Sequence, residues 1–100
     1  MAQFDVYEDA LKDVDYLLDV QANFHNHLRT RMVIPLKTRA QLGDAITRLY
    51  VPLTVHSREY FAVTPFMTVV PKAQLGKHIA SVADHSHSIT ASIDFLFQGF

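Results

Sequence analysis

The apolar residues of this chain change their period once, and that change constrains the fold more than any other feature. Through about residue 72 they fall in short runs set off by charged or turn-forming residues. Gln3 to Tyr7 alternates polar and apolar, as a half-buried strand does. Tyr16 to Gln21 reads as a second strand. Arg31-Met32-Val33-Ile34-Pro35-Leu36 is nearly continuous and apolar, which predicts a central strand covered on both faces. Pro35 cannot donate a ladder hydrogen bond, so that strand is expected to end or meet an edge there. Strands resume at Tyr50–Val55, Glu59–Val63 and Met67–Val70, with His56-Ser57-Arg58 as the hairpin turn between the first two. Glu8 to Asp15 fits neither period and reads as an exposed loop. Between Thr38 and Tyr50 the pattern hints at a short helix, interrupted by Gly43. Short strands at this spacing predict an antiparallel barrel or sandwich.

The final stretch is helical. Ile89, Ile93, Leu96 and Phe97 follow an i, i+4, i+7, i+8 spacing, an apolar stripe expected to face the sheet. Asp84, Ser86 or Ser88 can cap its start, and Gly99 stands where a left-handed residue ends a helix. One domain over residues 1–100 is therefore expected, a mainly β barrel over about 2–72 and one C-terminal helix over about 86–98. On that helix Leu96 and Phe97 turn inward and Phe95 flanks the stripe. Gln98 lies roughly opposite it, at about 100° per residue. Phe100 is either presented beside Gln98 or folded back on Phe95 as the last residue of a Schellman cap.

The totals exclude several classes of function. Nearly half the residues are apolar and about a fifth charged, as in folded chains and not in disordered ones. A net charge of −1 argues against broad binding to a phosphate backbone. The absence of cysteine removes disulfides, thiolate metal sites and a cysteine nucleophile, and fits a reducing cytosol. No apolar run approaches a membrane span, so a cytoplasmic protein is expected.

Few residues form a constellation for chemistry. His25-Asn26-His27 spells HNH, but the nucleases of that name draw their letters from separated positions. The segment Asp84-His85-Ser86-His87 offers potential metal ligands just before the helix, but no clear set of three in fixed geometry is visible, which a zinc site needs. His56 and His78 read as surface positions. Asp19 and Arg31 can form a buried pair or, with Arg29, Arg58 and His56, part of a phosphate-cleaving site.

Several segments together carry a resemblance: Gln3-Phe4-x-Val6-Tyr7, Asp19-Val20-Gln21, Arg31 to Leu36, Val70-Pro71, and Ile93-Asp94-Phe95-Leu96-Phe97-x-Gly99. In this order and spacing the chain resembles CcdB, the toxin family of the CcdA–CcdB addiction modules, from Gln3 to Phe100. The resemblance implies an SH3-like barrel, a homodimer and an action without catalysis, cofactor or metal. It implies binding to the A subunit of DNA gyrase, trapping of the cleaved gyrase–DNA complex, and neutralisation by a CcdA-like antitoxin. No direct contact with nucleic acid or membrane is implied. Barrels of this kind also include mRNA-cleaving toxins such as MazF and Kid, so a ribonuclease is one alternative and a non-toxic homologue another.

Carried over by position, the gyrase-contacting residues are Gln98, Gly99 and Phe100, where the best-known toxin has Trp-Gly-Ile, with Phe95 beside them. The antitoxin-facing residues are Glu8, Asp9, Leu11, Lys12 and Asp13. The chain departs from the family pattern at both places. Gln98 replaces the aromatic, and the loop from Glu8 to Asp15, basic in the familiar toxin, holds four acids against one lysine.

Overall fold

The computed structural model describes residues 2–99. Seven strands are present among the described residues: β1 (Asp5–Asp9), β2 (Tyr16–Asp19), β3 (Thr30–Lys37), β4 (Tyr50–Val55), β5 (Arg58–Val63), β6 (Thr68–Pro71) and β7 (Leu75–Ser81). They form one antiparallel sheet in the order β4-β5-β3-β2-β1-β7, with β6 paired to the first half of β3. A short helix, α1 (Arg39–Leu42), follows β3, and a long one, α2 (Ser86–Gln98), closes the chain. This is the mainly β barrel with a C-terminal helix that the change of period predicts. The sheet extends past residue 72, however, because β7 pairs with β1 and was not foreseen.

β3 is the axis of the fold. Its apolar run lets both faces pack, and side chains alternate across the sheet. Ile34 and Leu36 join Val6, Leu18, Leu53 and Ile89 in the larger core, under α2. Val33 joins Tyr7, Leu17, Val70 and Leu75 in a second core on the other face. Pro35 does not end the strand, which continues to Lys37. Instead, β3 changes neighbours around it. On the side away from β2, Val33 pairs with β6 and Leu36 with β5, and Pro35 has no registered partner there. The missing N–H thus falls where the sheet splits.

Gly76 in β7 has a specific reason to be glycine. A Cβ at that position would stand 3.1 Å from the Glu8 carbonyl oxygen, tight enough that β1 would have to give by a few tenths of an ångström. α1 carries a full capping box, Thr38 accepting from the Gln41 N–H while the Gln41 side chain accepts from the Thr38 N–H.

The β4–β5 connection is tighter than the three residues expected. His56 and Ser57 alone form the turn, both with positive φ, 50° and 66°, as in a type I′ hairpin. Neither residue is suited to that conformation. Replacing them by Asn-Gly is expected to stabilise the protein by about 1 kcal/mol. Urea unfolding measures this, and an unchanged midpoint would contradict it.

Candidate functional site

The C-terminal end of α2 is held at its root and free at its tip. Ile89 is fully buried in the larger core, and Ser92, one turn on, donates its hydroxyl to the Leu49 carbonyl at 2.6 Å. Ser92 also bonds Thr64 Oγ1 at 2.8 Å. Beyond that turn burial falls off. Ile93 and Leu96 are half-buried, whereas Phe97 is 71% exposed. The expectation that Phe97 packs in the core is therefore wrong. It lies at the edge of the apolar stripe, about 80° round the helix from Ile89, and that edge faces water. Phe95 is half-buried, with the Arg48 guanidinium stacked 4.6 Å from its ring centre. Arg48, Tyr50, Ser88, Asp94 and Phe95 line an open groove of about 440 Å³ between α2 and β4.

Gln98 is exposed on the last helical position. Gly99 follows in the left-handed conformation, φ 79°, its N–H bonded to the Phe95 carbonyl at 2.9 Å. A helix ended in this way presents Gln98 and Gly99 to solvent. Phe100, the third of the expected contact residues, lies outside the described residues.

The acidic loop is organised from within. β1 extends to Asp9, which is buried, contrary to the expectation of a wholly exposed Glu8–Asp15 loop. The Asp9 carboxylate accepts from the N–H groups of Leu11, Asp13 and Val14 at 3.0–3.2 Å and from Gln74 Nε2 at 3.1 Å. The loop folds around this one anion, and Lys12 takes a positive φ of 58° to complete the turn. Glu8, Leu11, Lys12 and Asp13 are left on the surface. Glu8, Lys12, Asp15, Arg58 and Tyr60 line a second open cleft of about 440 Å³.

Asp19 and Arg31 form a buried pair, both side chains at 0% exposure. Arg31 Nε and Nη2 donate to the same carboxylate oxygen, Oδ2, at 3.0 and 2.7 Å. A guanidinium so enclosed cannot reach a phosphate of bound RNA, and of the two roles open to this pair the structure gives it the buried one. Asn26, the middle letter of HNH, turns inward to accept from Arg31 Nη1 at 2.6 Å. His25 and His27 stay outside, their ring centres 6.4 Å apart. His78 is half exposed on β7, edge-on to Tyr7 and 3.4 Å from the Asp5 carboxylate. Burial, first of all, raises the Tyr7 and Tyr60 phenols above the ordinary tyrosine range, so both stay protonated at neutral pH. Among the described residues no three His, Asp or Glu side chains gather as metal ligands.

Phe24 was not singled out from the sequence, although it is 85% exposed at the tip of the β2–β3 loop. The available signal was a lone aromatic inside the polar stretch from Gln21 to His27.

These features define a curled β barrel with a C-terminal helix. The same fold occurs in the Mycobacterium tuberculosis toxin MazF-mt6, with TM-score 0.78 and 16% identity over 93% of this chain and 95% of that one. It also occurs in an endoribonuclease from a mycobacterial species, TM-score 0.75 and 17% identity over 97% and 90%. A mycobacterial endoribonuclease in complex with its cognate antitoxin matches at TM-score 0.77 and 16% identity, over 97% and 94%. At such identities the likeness is one of fold. The sequence is more specific: the family described as "CcdB protein" matches residues 3–99. The chain belongs to the CcdB family of toxins.

Proposed function

We propose that the protein is the toxin of a toxin–antitoxin pair that acts in the cytoplasm as a homodimer. It binds the A subunit of DNA gyrase, traps the cleaved gyrase–DNA complex, and is neutralised by a CcdA-like antitoxin. The observation that carries this reading is the family match over residues 3–99. The end of α2, with Gln98 and Gly99 exposed, supports it. Gln98, Gly99 and Phe100 contact gyrase, and Phe95, stacked under Arg48, flanks them. The action is non-enzymatic, a reading that rests on the family match, while the burial of Asp19 and Arg31 takes that pair, though not Arg29, Arg58 or His56, out of a phosphate-cleaving site.

The endoribonucleases of like fold support a second reading, a ribonuclease, and the loss of the aromatic at Gln98 supports a third, a non-toxic homologue. One experiment separates the three. Purified gyrase and supercoiled plasmid, incubated with the protein and stopped with detergent, yield linear DNA on the first reading. RNA degraded without gyrase points to the second, and no effect in either assay to the third. A strain carrying a resistant gyrase allele repeats the test in cells, and sedimentation at micromolar concentration tests the dimer.

Glu8, Leu11, Lys12 and Asp13 face the antitoxin in this reading, on the loop that Asp9 shapes. Glu8 and Asp13, with Asp15, leave that surface acidic, so an acidic antitoxin segment meets like charge there. Poor neutralisation by an antitoxin evolved for a basic loop is expected. Nanomolar binding of such an antitoxin in calorimetry is the opposite result.

A further inference from the structure

The corner where the end of β3, β5 and the β5–β6 connection meet is apolar and rigid, with one cation left uncompensated. Lys37, at the end of β3, pairs in register with Phe61 of β5, and Phe61 pairs with Pro52 of β4. The three side chains therefore share one face of the sheet. Phe61 is buried, with the Arg39 guanidinium 5.1 Å from its ring centre. Arg39 is itself neutralised, donating to both Glu59 carboxylate oxygens at 3.1 and 3.4 Å. Phe66, in contrast, is 57% exposed, and Lys37 Nζ stands 5.7 Å from its ring centre. Among the described residues Lys37 takes part in no salt bridge.

Phe66 does not owe its exposure to a slack backbone. It closes the 3-10 turn Thr64–Phe66, which Pro65 stiffens by fixing its own φ. The Met67 N–H returns to the Thr64 carbonyl at 2.9 Å. Thr64 is fully buried, its hydroxyl bonded to that of Ser92 on α2 at 2.8 Å. The ring is thus held in water by a rigid root. An aromatic fixed in this way gives up little further entropy when a partner covers it. The ammonium beside it attracts an anionic group, and more strongly once the partner has displaced water.

We propose that this corner docks an acidic, apolar segment of the antitoxin, an apolar side chain covering Phe66 while a neighbouring carboxylate meets Lys37. The proposal rests on the reading that the protein is a toxin neutralised by an antitoxin. One exposed ring and one unpaired cation suit a short flexible segment, which takes up small anchors singly, whereas a folded partner needs a far larger complementary area. The loop from Glu8 to Asp15 repels carboxylates, so an acidic stretch finds its counter-charge at this corner instead. A nucleic-acid strand is disfavoured there. One lysine, with the Glu59 carboxylate on the same face, cannot neutralise a run of phosphates.

Nuclear magnetic resonance titration of the full-length protein with the peptide acetyl-Glu-Leu-Asp-Phe-Glu-Leu-amide tests this, beside its Gln/Asn analogue and a single-stranded oligothymidine. The acidic peptide is expected to shift the amides of Lys37, Phe61 and Phe66 and to bind at least about tenfold more tightly than the analogue. Phe66→Ala and Lys37→Gln are each expected to weaken it about tenfold with an unchanged melting temperature. In Lys37→Gln the preference for the acidic peptide over its analogue is expected to vanish, which a loss of packing alone would not cause. Equal binding of the two peptides by the wild type, shifts confined to another face, or tighter binding of the oligothymidine overturns the proposal. The gyrase assay supplies a second arm. Both variants are expected to form as much linear DNA as the wild type and to need about tenfold more cognate antitoxin to suppress it. Unchanged neutralisation, or linear DNA lost without antitoxin, contradicts the assignment to the antitoxin. If the wild type forms no linear DNA, the functional reading falls and the titration alone decides. A corner that prefers the acidic peptide still docks such a segment, and one that does not ends the proposal.

Discussion

Arg31→Ala is expected to destabilise the protein by about 3–5 kcal/mol, the cost of leaving a buried carboxylate without its partner. Asp19 lies at 0% exposure and loses both donors on Oδ2, keeping only the Gln21 N–H on Oδ1. The melting temperature of a domain this size is then expected to fall by well over about 10 °C. Joint replacement by residues of similar volume, Asp19→Leu with Arg31→Met, is expected to restore most of that loss, since no charge then needs compensation. Thermal and urea unfolding of the three proteins measure both effects. A single variant that loses less than about 1 kcal/mol would mean that the pair is solvated in solution.

The second large effect concerns function. Gln98→Trp is expected to tighten binding to gyrase on the order of thirtyfold, the worth of an aromatic anchor at an interface hot spot. Gln98 is exposed on the last position of α2 and followed by a helix-ending glycine, so the new side chain disturbs no packing. Stability is expected to stay within about 0.5 kcal/mol. Calorimetry with the purified A subunit and the yield of linear plasmid report the gain. Unchanged affinity in a protein that binds gyrase would show that position 98 does not contact the target in this chain.

Much of the fold was legible because its elements carry their environment in a local period. Val51, Leu53 and Val55 alternate along β4 and point into the core, as their spacing says. The continuous run of β3 marked it as central, Ile89 opened the helical stripe correctly, and Gly99 marked the helix end. β7 was not legible. Gly76, Lys77 and His78 in its middle are exposed and lack strand-like alternation, and the strand exists because β1 offers it a partner about 70 residues earlier in the chain. The candidate surfaces divide in the same way. Exposure of Gln98 followed from helical geometry. The inward turn of Asp9, which orders the acidic loop, depends on Gln74 and on backbone groups that no spacing rule brings to it.

By itself the sequence determined the barrel-then-helix plan, the central place of β3 and the family, because periodicity and residue order are local properties of the chain. Tertiary structure alone decided the rest. It left Phe97 in water at the edge of the helical stripe, let Pro35 sit inside a strand because β3 changes neighbours there, and closed Asp19 and Arg31 into a buried pair. Each depends on which segments, distant along the chain, come to lie against one another.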